Sequence, residues 1–76
     1  NAEAVREIGD RIVGLCREPL SFEEILRRLF EAYGLTMTFE QHALVGSTVR
    51  SYLTWLKESG RLEAVIRDNL LLWQAV

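Results

Sequence analysis

The stretch Gly46-Ser47-Thr48-Val49-Arg50-Ser51-Tyr52-Leu53-Thr54-Trp55-Leu56-Lys57-Glu58-Ser59-Gly60, followed by Arg61-Leu62-Glu63-Ala64-Val65-Ile66-Arg67-Asp68-Asn69-Leu70-Leu71-Leu72-Trp73-Gln74, carries two hydrophobic periods in succession. In the first half Val49, Tyr52, Leu53 and Leu56 recur at i, i+3, i+4 and i+7, the inward stripe of an amphipathic helix. Arg50, Ser51, Thr54, Lys57 and Glu58 then face outward, with Trp55 on the flank. Gly60 ends the helix, and the period becomes two. Leu62, Ala64 and Ile66 are expected to share one face of a strand, with Leu70 and Leu72 facing the same way from the returning strand. Asp68-Asn69 is the expected turn, since both residue types tolerate left-handed backbone.

Two more helices precede this unit. From Glu3 to Arg17, Val5, Ile8, Ile12, Leu15 and Cys16 fall on one face, although Gly9 and Gly14 each weaken a helix by up to about 1 kcal/mol relative to Ala. Pro19 ends it. Ser21 with Glu24 forms a capping box, and Leu20 with Ile25 a hydrophobic staple, so a helix over 22–33 follows. Its expected buried face is Phe22, Ile25, Leu26, Leu29 and Phe30, and Gly34 stops it. Thr38 and Gln41 form a weaker capping pattern, which predicts a short separate turn over 39–44. The resulting fold class is mostly α with a small β-hairpin: a winged helix-turn-helix of three main helices and a two-stranded antiparallel wing.

Composition bounds what such a chain can do. Its 76 residues make one small domain, able to bury about 60 to 65 per cent of its unfolded surface and too small for a deep active site. Hydrophobic residues are 49% and charged residues 26%, the balance of a folded soluble domain. No apolar run is long enough for a membrane span. Cys16 is the single cysteine, which excludes an intrachain disulfide and points to a reducing cytoplasmic setting. On the inward stripe it reads as a small buried hydrophobe. The chain opens Asn1-Ala2 without an initiator Met, which reads as a cloning scar ahead of one domain, 3–76, cut from a larger chain.

Enzymatic chemistry finds little to work with. One His, one Cys and scattered acids supply no convergent nucleophile, base and charge stabiliser, and a zinc site using Cys16 would have only His42 as a further ligand of that kind. His42 sits in the connection between helices, either as a half-buried imidazole or as a polar contact to something outside the domain. Nucleic-acid binding is the common use of a winged helix, and Arg50, Ser51, Thr54, Lys57 and Arg67 are the candidate contacts. The charge argues against it. The net charge is −2, and Arg50, Lys57, Arg61 and Arg67 give about four phosphate contacts against the six to ten of strong binding. Trp73 is expected to pack over the hairpin. Trp55 is more open, and with Val65 and Leu71 it could build an apolar docking patch.

The segment from Leu44 to Lys57, with the closing Asn69-Leu70-Leu71-Leu72-Trp73, resembles the C-terminal winged helix of metallo-β-lactamase-fold hydrolases, and the resemblance extends from about Val5 to Trp73. In that family a zinc-binding αββα domain precedes the winged helix, which packs near the active-site mouth and shapes substrate access. The resemblance therefore implies a non-catalytic accessory domain whose partner is its own N-terminal catalytic domain. Zinc or another divalent metal would belong to that domain, with none held here. Gln41, His42 and Trp55 are the docking or substrate-entrance candidates. The alternatives are a DNA-binding regulator and a module that dimerises through the hairpin and first helix.

Overall fold

The computed structural model describes residues 2–76; Asn1, half of the expected cloning scar, lies outside them. The chain runs α1 (Ala2–Leu15), β1 (Leu20–Ser21), α2 (Phe22–Ala32), α3 (Phe39–Glu58), β2 (Leu62–Arg67) and β3 (Leu70–Ala75). Three helices thus accompany a three-stranded antiparallel sheet of order β1-β3-β2.

The local signals explain the boundaries. Ser21 has extended backbone and its hydroxyl accepts from the Glu24 amide at 3.2 Å, removing one orphan donor of the first turn of α2. Leu20 and Ile25 are both buried, as a staple requires. Gly34, at φ 65°, closes the helix in the left-handed region. Asp68 and Asn69 both have positive φ, 53° and 64°, the geometry of a two-residue turn that matches strand twist.

Three expectations are corrected. The separate turn over 39–44 does not form, because α3 runs unbroken for 20 residues from its Thr38 cap, about 30 Å of helix. Gly46 sits inside it, where a Cβ would lie 3.4 Å from the Phe22 ring and 3.7 Å from Leu26. That glycine is a packing contact between α2 and α3. The wing is also not two-stranded: Leu20 and Ser21 pair with Trp73 and Leu72, so the residues that cap α2 double as a strand. Finally, the two-residue turn sets Arg67 opposite Leu70 and Ile66 opposite Leu71. Leu62, Ala64 and Ile66 therefore share their face with Leu71 and Trp73, not with Leu70 and Leu72.

The core lies where the helices meet the base of the hairpin. Ile12, Cys16, Ile25, Leu26, Leu53, Leu56 and Leu62 are the largest fully buried side chains, with Leu20, Leu29, Phe30 and Val49 completing the cluster. The Ala75 amide donates to the Cys16 carbonyl at 2.8 Å and ties β3 to the end of α1. Cover runs out along the hairpin: Leu62 is 2% exposed, Ile66 68%.

Candidate functional site

The long third helix organises both candidate surfaces. On one side, facing α2, the Phe22 ring is held between two groups of α3: the Arg50 guanidinium carbon stands 4.0 Å from its centroid, and the His42 ring meets it edge-on at 6.3 Å and 83°. His42 Nε2 lies 2.9 Å from Glu23 Oε1. A shallow depression of about 210 Å³ runs over Phe22, His42, Gly46, Ser47 and Arg50. His42, expected in an irregular connection, stands instead in the first turn of α3, where a partner within the domain takes up the imidazole.

On the other side Trp55 lies across α1. A Cβ on Gly9 would fall 3.1 Å from Cζ3 of the indole, and Tyr52 packs against the same ring at 6.1 Å and 66°. Trp55 remains 43% exposed, beside Val5. The groove continues from Tyr52 to Ile8, Leu29, Tyr33, Leu35 and Val45, an apolar cavity of about 420 Å³ open at the surface. Leu35 and Val45 are not among the candidates that the sequence singles out. A signal for Val45 exists: Val45, Val49, Tyr52 and Leu56 continue one stripe once α3 is taken through Gly46.

The three expected docking residues do not converge. Gln41 and Trp55 stand about four turns apart on nearly the same side of α3, whereas His42 is turned about 100° away toward α2. The patch of Trp55 with Val65 and Leu71 also does not form, since Val65 pairs with Leu72 and Leu71 with Ile66, on opposite faces of the hairpin.

Of the residues suited to nucleic acid, Arg50, Ser51 and Thr54 lie together along the outer face of α3, where with Ser47, Trp55 and Glu58 they line an open cleft of about 460 Å³; Lys57 lies outside that lining, and Arg67 ends β2. The two hydroxyl donors are committed within the helix. Ser51 and Thr54 donate to the carbonyls of Ser47 and Arg50, at 3.3 and 3.1 Å, and Arg50 lies on Phe22. Arg61 is paired with Asp10 at 2.8 Å, so it does not join Arg67 at the hairpin tip. On α2, Arg27 and Arg28 are bound to Glu24, whose carboxyl is held below its ordinary range by hydrogen bonds from Arg27 and then Arg28.

Cys16 is fully buried, and burial pushes its thiol up to about 11, the Arg28 charge lowering it only in part. A thiol so placed is neither nucleophile nor ligand at neutral pH. Among the described residues no three His, Cys, Asp or Glu side chains gather into a metal-holding group, and no helix is long and apolar enough to cross a membrane. No family model, curated protein or solved structure matches the chain.

Proposed function

We propose that this domain is a winged helix-turn-helix acting as a non-catalytic docking unit of a metallo-β-lactamase-fold hydrolase, set against the catalytic domain where it forms part of the substrate entrance. The order helix, strand, helix, helix, strand, strand with sheet order β1-β3-β2 supports the fold name. The observation that carries the docking role is the open apolar groove between α1 and α3, with Ile8, Leu35 and Tyr52 in its wall and Trp55 at its end. A monomeric domain gains by covering such a surface, at roughly 25 cal/mol per Å² of apolar area. Any zinc or other divalent metal would be held by the catalytic domain, and the chain here would supply wall and orientation only.

The coding sequence ahead of Glu3 tests this reading. A His-x-His-x-Asp-His stretch is expected there, the metal-ligand run of the hydrolase family; its absence would remove the hydrolase assignment. The nucleic-acid reading makes a separate demand. It requires labelled duplex to bind at about 50 mM salt through Arg50, Ser51, Thr54, Lys57 and Arg67, and the docking account expects no binding there.

A further inference from the structure

The hairpin carries a feature that the docking groove does not use. β2 is the edge strand of the sheet, and nothing pairs with its outer side among the described residues. The two-residue turn makes Arg67 and Leu70 a mutually hydrogen-bonded pair, and the alternation of an antiparallel ladder then directs the amides and carbonyls of Glu63, Val65 and Arg67 toward β3. Those of Ala64 and Ile66 point outward, free to bond another strand.

We propose that β2 pairs antiparallel with β2 of a second copy about a two-fold axis at Val65, giving a continuous six-stranded sheet. The strand is self-complementary in this register. Ala64 faces Ile66 of the second copy and Ile66 faces its Ala64, so the outward backbone groups form two hydrogen-bonded pairs. On the opposite face Val65 meets Val65, and Glu63 meets Arg67 twice, once on each side of the axis. Neither Glu63 nor Arg67 has an ion-pair partner within its own chain among the described residues. Opposite charges directly across a non-hydrogen-bonded pair are the close, favourable arrangement. Pairing also gives Ile66, 68% exposed in the monomer, an apolar cross-strand neighbour in Ala64 of the second copy.

Moving the axis to Ala64 or Ile66 keeps the hydrogen-bond alternation but sets Glu63 or Arg67 against Val65 and loses both charge pairs. An axis between residues sets inward-directed backbone against outward-directed backbone. The charges thus select one register, and the interface is isologous as a two-fold dimer demands. It is separate from the α1/α3 groove and stands whether or not that groove docks on a catalytic domain.

Sedimentation velocity of the 76-residue chain over micromolar to submillimolar concentration tests it. A reversible dimer is expected. Glu63→Arg or Arg67→Glu alone creates two like-charge pairs and weakens dimerisation by roughly tenfold, whereas the double reversal restores it. Ile66→Lys changes a surface residue of the monomer, so circular dichroism is retained while the dimer is lost. A chain that stays monomeric throughout, or a dimer indifferent to the single reversals and to Ile66→Lys, overturns the proposal.

Discussion

The indole of Trp55 rests on Gly9, so closely that a Cβ there would stand 3.1 Å from ring atom Cζ3. This contact seats α3 on α1 and fixes the end of the apolar groove. Gly9→Leu is expected to push the ring off α1, at a cost of about 1 to 3 kcal/mol from overpacking. Gly14, in the same helix, has no neighbour within 4 Å of its would-be Cβ. Gly14→Ala should therefore stabilise by up to about 1 kcal/mol. Urea unfolding followed by tryptophan fluorescence checks both signs, and equal effects at the two glycines would contradict the assigned contact.

Ser21 serves as cap and strand residue at once. Ser21→Ala should cost about 1 kcal/mol through the orphaned Glu24 amide. Thr38→Ala removes the equivalent acceptor for Gln41 at the start of α3 and is expected to cost a similar amount. Thermal unfolding of the two variants measures this, and unchanged midpoints would show that the caps contribute nothing.

Leu62→Ala opens a cavity beneath the hairpin and should cost about 2 to 5 kcal/mol. Ile66→Ala, on the same face but largely in solvent, should change monomer stability by no more than about 0.5 kcal/mol. Equilibrium denaturation at a concentration where the chain is monomeric distinguishes them. A large loss at Ile66 would mean that the core reaches the hairpin tip.

Burial raises the Cys16 thiol from 9.0 to about 11. The folded state therefore keeps its proton where the unfolded chain releases it. Stability from this group is complete below pH 9 and is lost as pH rises toward 11. Denaturant midpoints across that window are expected to fall in the wild type and to fall less in Cys16→Ala, which has no thiol to ionise. Parallel pH profiles would contradict a protected thiol.

Much of this fold is legible in the sequence because the deciding signals are local. Ser21 with Glu24, Thr38 with Gln41, and Asp68-Asn69 each specify a backbone geometry through adjacent atoms. The features that are not legible depend on distant ones. The turn over 39–44 reads as separate from the main third helix until Phe22 is placed against Gly46. Leu20-Ser21 is too short to show a strand period and becomes one only when β3 arrives. The face shared by Ile66 and Leu71 follows from counting residues across the turn, and a one-residue error in that count reverses every leucine of β3. Of the three expected docking residues only Trp55 borders the groove: Gln41 lies on the same helix about four turns away, His42 is held by Glu23, and the groove residues Leu35 and Val45 become neighbours of Tyr52 only once α3 is continuous.

The α1/α3 groove is proposed as a docking face. Amide hydrogen exchange, compared between this domain alone and the same domain in a protein that carries the proposed catalytic domain, tests it most directly. The account expects slower exchange in the longer protein along α1 around Ile8, at Leu35, and along α3 from Val45 to Trp55. Unchanged exchange along that groove, with protection appearing instead around Arg50 and Thr54 on adding duplex DNA, would contradict it.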